Sequence, residues 1–271
     1  MTISRNICDI NQNTGYVTRK SIGKNAMKKI VVLCVDGLDP DQAREFGLKM
    51  PHEASLDIPS DLTYYGNPHT MHIWPSMFAG RIVKHPALVE TTRHNNRLRA
   101  RKWLVRHGIK WKRKGLKFQK WEDGFVPKWN VFHPSVEETV LDKFSSFKFD
   151  IPGVSEGVIL GASLSWQREK HEHFKLLARS LVKSNFEIVA VYSHVMDHYG
   201  HFGYDLEHPY REIFMLAREL ELFRDVIVVS DHGCVNGKHT FQAYLGCTWP
   251  FEAKSVLDVA DVIEQRLTAD E

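Results

Sequence analysis

The chain has 271 residues, 43% of them hydrophobic and 25% charged, with 36 Lys/Arg against 33 Asp/Glu. That balance belongs to a globular protein with room for a substantial core, and it excludes a disordered or collagen-like chain. No apolar run reaches the roughly 20 residues that a bilayer-spanning helix requires, and four cysteines without a CxxC pair argue for free thiols in a reducing cytoplasm rather than a disulfide scaffold.

Residues 1–27 read as a polar N-terminal extension without the apolar segment of a signal peptide, and residues 28–271 as one domain. Lys28 and Lys29 lead into Ile30–Val35, a continuous apolar run of the kind found in strands buried on both faces. It ends in Asp36-Gly37-Leu38-Asp39. Asp39 followed by Pro40 then carries a helix-start pattern, which makes Asp36 the candidate ligand and Asp39 a cap. Further on, Gly66-Asn67-Pro68 marks a turn before a helix beginning near Thr70. A hydroxyl there has two readings. It caps the helix, or it stands where backbone amides and the positive dipole end favour a phosphoryl group.

Between Arg93 and Trp121 the composition shifts: twelve Lys/Arg and no acid, with Trp103, Trp111, Phe118 and Trp121 interleaved. The remainder of the chain is net acidic, 24 basic residues against 33 acidic. Residues 93–132 therefore form a basic, aromatic-rich insert or cap. Three roles stay open for it: contact with nucleic acid through 93–121, attraction of a small anionic substrate, or a merely solvated amphipathic cover.

Ser135 and Glu138 carry a capping-box pattern, Val158–Leu160 a short strand, and Trp166–Lys183 a helix. Phe186–Tyr192 is a second buried strand and runs into Ser193-His194-Val195-Met196-Asp197-His198-Tyr199-Gly200-His201. A helix is expected over Leu206–Phe223. The third strand, Val226–Val229, ends in Ser230-Asp231-His232-Gly233, with His239 after a short loop. Asp-His-Gly alone would also serve as a turn. A short strand at Ala243–Gly246 and a helix over Val256–Leu267 close the chain. Strands alternating with helices predict an α/β fold, a mostly parallel central sheet with helices on both faces. Three strands deliver acids to one edge, where open sheets of this kind bind ligands. His69, His72, His194 and His198 read as groups around that site rather than in it.

Taken together, Asp36-Gly37, Thr70 with Trp74 and Ser76, Asp197-x3-His201, Ser230-Asp231-His232-Gly233 and His239 resemble the alkaline phosphatase superfamily. Around Thr70 and Trp74 the phrase is most similar to the type I phosphodiesterase/nucleotide pyrophosphatase branch. His72 stands where that branch commonly has proline. The resemblance implies an alkaline-phosphatase-like fold and two divalent metal ions, usually zinc, with manganese the alternative. Asp36, Thr70, Asp231 and His232 would hold one ion; Asp197, His201 and His239 would hold the other. It further implies hydrolysis of a small anionic phosphodiester or nucleotide through a phosphothreonine on Thr70, with Asn95 or Asn96 as a further donor to substrate. A phosphomonoesterase of the same superfamily and a nucleic-acid-binding protein are the alternatives.

Overall fold

The computed structural model describes residues 28–64, 66–84, 118–121, 124–127, 138–155 and 164–269. The extension 1–27, Asn95 and Asn96, Ser135, and the strand expected at Val158–Leu160 lie outside the described residues, as does most of the basic insert.

The chain opens with β1 (Ile30–Val35), all six residues buried. α1 (Pro40–Glu45) follows, with the Asp39 carboxylate accepting from the amides of Asp41 and Gln42 and Pro40 in its first turn. β2 (His52–Asp57) and the short β3 (Thr63–Tyr64) and β4 (Asn67–Pro68) lead to α2 (Thr70–Ala79), which ends at Gly80 in the left-handed conformation. The insert contributes one antiparallel hairpin, β5 (Phe118–Trp121) and β6 (Gly124–Pro127). β7 (Ser146–Phe149) and α3 (Leu164–Leu181) precede β8 (Ile188–Ser193) and the short α4 (Val195–Phe202). α5 (Glu207–Leu220), β9 (Asp225–Val229), a hairpin of β10 (Gly233–Val235) and β11 (Lys238–Thr240), β12 (Gln242–Cys247) and α6 (Val259–Thr268) complete the order.

Six strands form one sheet in the order β2-β12-β9-β1-β8-β7. β7, β8, β1 and β9 are parallel, and β12 runs against both its neighbours. Period-2 alternation splits each central strand between two cores. Ile30, Val32, Ile188, Ala190, Ile227 and Val229 pack with Ile73, Trp74 and Phe78 of α2 and Val262 and Ile263 of α6. Val31, Leu33, Val189, Val191, Val226 and Val228 pack with Phe174 of α3 and Ile213, Phe214 and Leu220 of α5 on the other face. Each fully buried aliphatic or aromatic side chain contributes about 1.5–3 kcal/mol, so the three central strands anchor the molecule. Among the described residues no helix is long and apolar enough to cross a membrane.

The sequence reading missed two edge strands. β2 (HEASLD) buries one residue fully, Leu56, and β7 (SFKF) is half-buried throughout. An edge strand covered on few sides carries no apolar run to detect. A capping box joins Thr139 and Asp142 and opens a 3-10 turn at Val140–Asp142, while the one expected from Ser135 and Glu138 rests on a residue outside the described ones.

Arg224, buried just before β9, holds the loop after α3. Its guanidinium donates to the carbonyls of Val182, Phe186 (2.8 Å) and Ser184 (2.6 Å). Arg224→Met removes the guanidinium from the Val182 and Phe186 carbonyls, while Ser184 keeps the Lys29 ammonium at 3.1 Å, and is expected to cost about 3 kcal/mol in urea unfolding. Arg224→Lys should recover little of that, because an ammonium cannot reproduce the planar fork.

Candidate metal centre

The carboxyl ends of β8, β1 and β9, adjacent in the sheet, carry the site. Asp36 follows β1 directly, and Asp231 and His232 follow β9; all three are fully buried. Asp197 does not end a strand, as the sequence had suggested. It lies in the first turn of α4, with His201 one turn later on the same face. His239 sits on β11, across from Cys234 on β10. The hairpin between them turns at Asn236-Gly237, both at positive φ (50° and 76°), the conformation that two-residue hairpins require.

Close backbone approach makes this convergence feasible. The Asp197 amide donates to the Asp36 carbonyl at 3.1 Å, and a Cβ on Gly37 would fall 2.6 Å from the Asp197 backbone. Gly37 is also at φ 78°, so a side chain there is disfavoured twice.

Thr70 is the first residue of α2 and not its cap. His69 fills that role, its Nδ1 accepting from the Met71 amide. The Thr70 hydroxyl stands 3.4 Å from Asp36 Oδ2 and 3.3 Å from His232 Nε2. His232 Nε2 is also 3.4 Å from Asp36 Oδ1 and 3.4 Å from Asp231 Oδ2. On the other side, His201 Nε2 and His239 Nε2 each lie 3.3 Å from Asp197 Oδ1 and 2.9 Å from one another. The structure thus brings Asp36, Thr70, Asp197, His201, Asp231, His232 and His239 together.

Two imidazoles are oriented by the backbone. His232 Nδ1 faces the Gly233 carbonyl at 3.1 Å, and His239 Nδ1 faces the Pro68 carbonyl at 3.0 Å. A carbonyl only accepts, so each Nδ1 carries a proton and each ring turns Nε2 toward the carboxylates; burial alone would lower His239, but the Asp197 carboxylate outweighs it and raises that ring. Backbone-fixed tautomers of this kind are how proteins orient metal-binding histidines.

The electrostatics are unbalanced in the same sense. Asp36 Oδ1, Asp197 Oδ1 and both Asp231 oxygens are buried without a hydrogen bond. Burial and the neighbouring Asp36 charge hold the Asp231 carboxyl well above the usual range. Burial works against the Asp197 carboxylate too, but His194, His201 and His239 around it outweigh that and hold it well below. Burial pulls His232 down. Buried carboxylates with unpaired oxygens and ring nitrogens aimed among them are a donor set that divalent cations fit. Two sets of donor atoms lie within 4.8 Å of one another: Asp36, Asp197 and His232, and Asp197, His201, Cys234 and His239.

Tyr192 and Cys234 join the site without a sequence signal of their own, and His194 stands beside it as expected. Tyr192 donates to Asp36 Oδ2 at 2.5 Å. His194 Nε2 reaches Asp197 Oδ2 at 3.1 Å and Asp36 Oδ2 at 3.7 Å. Burial alone would lower His194, but Asp36 and Asp197 raise it to about 8. Cys234 joins the second donor set. Only its position directly after Asp231-His232-Gly233 hinted at this. His72 is buried in α2, and His198 packs its ring 4.6 Å from that of Phe202.

No protein-family model matches the sequence, and no curated protein does. Among solved structures, the alkaline phosphatase from the Antarctic bacterium TAB5 superimposes with a TM-score of 0.50 at 8% identity, covering 90% of this chain and 99% of that one. The fold is alkaline-phosphatase-like. The PH0037 protein from Pyrococcus horikoshii overlaps at TM-score 0.48 and 10% identity, over 89% of this chain and 97% of that one. Murine ectonucleotide pyrophosphatase/phosphodiesterase 5 overlaps at TM-score 0.38 and 12% identity, over 76% and 57%. These last two overlaps are too loose to carry an argument. At such identities the alkaline-phosphatase-like fold is what the likeness establishes, and the site has to be argued from its own geometry.

That geometry predicts ligand-linked stability. Zinc at a hundredfold excess over its Kd should raise Tm by roughly 5–10 °C, and His239→Ala should remove at least half of the shift, read by differential scanning calorimetry.

Proposed function

We propose that this protein is a metal-dependent phosphohydrolase that cleaves phosphodiester or nucleotide pyrophosphate bonds through a covalent phosphothreonine on Thr70. The observation that carries the reading is the pairing of backbone-oriented imidazoles with unpaired buried carboxylates beside the Thr70 hydroxyl. Asp36, Thr70, Asp231 and His232 would hold one cation, and Asp197, His201 and His239 the other. Zinc is expected and manganese is the alternative. When bound, such cations lower the proton affinity of a hydroxyl and neutralise charge on a phosphoryl group.

The chain's own residues supply the rest. Thr70 Oγ1 is the attacking atom, and α2 holds it at the positive end of its dipole, where backbone amides suit nonbridging phosphoryl oxygens. Asp36, held by Tyr192, and His232, held by the Gly233 carbonyl, fix the hydroxyl between them. In-line attack breaks the bond from phosphorus to the leaving oxygen and leaves a phosphoryl group on Thr70. Water entering from the side of His201 and His239, the more exposed part of the centre, then cleaves the phosphothreonine. Two displacements retain configuration at phosphorus.

The diester preference rests on the helix start itself, where His69, Thr70, Met71 and His72 bring imidazoles rather than ammonium or guanidinium groups. A phosphoryl group with one nonbridging charge needs less compensation than one with two. Buried thiols at Cys34, Cys234 and Cys247 suit the reducing cytoplasm expected from composition. Asn95 and Asn96 as substrate donors, and nucleic-acid contact through 93–121, remain expectations from the sequence.

Thr70→Ala should lower kcat on bis(p-nitrophenyl) phosphate by at least about a thousandfold while keeping part of the zinc-induced rise in Tm, because Asp36, Asp231, His232 and the donors of the second cation remain. A clear preference of the wild type for p-nitrophenyl phosphate would overturn the diesterase assignment in favour of a monoesterase.

A further inference from the structure

Cys234 occupies a position that the proposed three-ligand set around the second cation does not use. It is fully buried on β10, directly opposite His239 in the antiparallel β10–β11 pair. Residues facing each other across such a pair project to the same side of the ribbon, with Cβ atoms about 5 Å apart. The Sγ atom therefore shares a face with the imidazole of His239, and it lies within 4.8 Å of the donor atoms of Asp197, His201 and His239. α4 is shaped to admit it. Gly200, on the turn between Asp197 and His201, leaves the space: a Cβ there would come within 2.7 Å of the Cys234 sulfur and 2.7 Å of its carbonyl. The hairpin is tied to the same glycine, whose carbonyl accepts from the Gly237 amide at 3.0 Å.

We propose that Cys234 binds the second cation as a thiolate, completing an Asp197, His201, His239 and Cys234 set. The inference rests on the metal reading given above and extends it. On binding, the S–H bond breaks, its proton passes to solvent, and the sulfur lone pair forms the bond to the metal, so that no oxidant or reductant is required. A thiolate is a soft donor and biases the site toward zinc over manganese or magnesium.

The test uses cobalt(II) as the probe in the full-length protein, because cobalt bound by thiolate absorbs in the near ultraviolet through sulfur-to-metal charge transfer. The expected result is that band in the wild type, its loss in Cys234→Ser and Cys234→Ala, and its survival in Cys247→Ser, whose thiol lies on β12 and in neither donor set. The preference for zinc over manganese in competition should also fall by on the order of tenfold in Cys234→Ser. Cobalt retained by the wild type with visible d–d absorption but no charge-transfer band would overturn thiolate ligation and leave the metal centre standing. No cobalt retained would overturn both. The wild-type spectrum decides even if the Cys234 variants fold poorly.

Discussion

The structure depends on one electrostatic constraint: carboxylates buried next to each other in a molecule that cannot solvate them. Asp36 and Asp231 are fully inaccessible, and each has at least one oxygen that no donor meets. An ion of this size loses several kcal/mol on leaving water even after the protein relaxes. A chain with marginal net stability tolerates that in two ways, by neutralising one acid with a proton or by holding positive charge. The raised Asp231 carboxyl is the first response. The Nε2 atoms of His232 and His239, turned inward by backbone carbonyls, prepare the second. The apolar cores on both faces of β1, β8 and β9 supply the stability that lets the sheet hold such a cluster at its rim.

The sequence disclosed those parts of the fold that depend on long apolar runs. Ile30–Val35, Ile188–Ser193 and Asp225–Val229 are buried on both sides, and hydrophobicity without alternation is their mark. β2 and β7 escaped because an edge strand is specified by its neighbour's exposed backbone more than by its own side chains. A similar division runs through the site. Asp36, Asp231 and His232 were legible because a residue just past a buried strand has little choice of position. Tyr192 and Cys234 were not, because their places follow from which element packs on which. Tyr192 reads locally as the last aromatic of a strand, and only the pairing of β8 with β1 brings its hydroxyl to Asp36.

That packing is permitted by glycines and tied by backbone hydrogen bonds, Asp197 to Asp36, Cys234 to Gly37 and Gly237 to Gly200. Gly37 lets the end of β1 touch the backbone of α4, and Gly200 lets α4 touch β10. Each close approach removes a Cβ layer, so three chain segments distant in sequence meet within the reach of short side chains. Asp and Cys have little length with which to bridge a gap. A site built from such residues therefore needs backbone proximity, whereas one built from Glu, Lys or Arg could tolerate looser packing.

The centre is also asymmetric, and its asymmetry bears on the chemistry. Asp36, Asp231 and His232 are sealed, while His201 and His239 keep 39% and 21% of their side-chain surface exposed. Thr70 lies at the boundary, close to His232 on the buried side. A hydroxyl at such a border feels the low-dielectric environment that strengthens polar contacts to it. Water has access on the opposite flank. The proposed covalent intermediate, made on the dry side and cleaved from the wet side, would use that division of solvent as much as the identity of the residues.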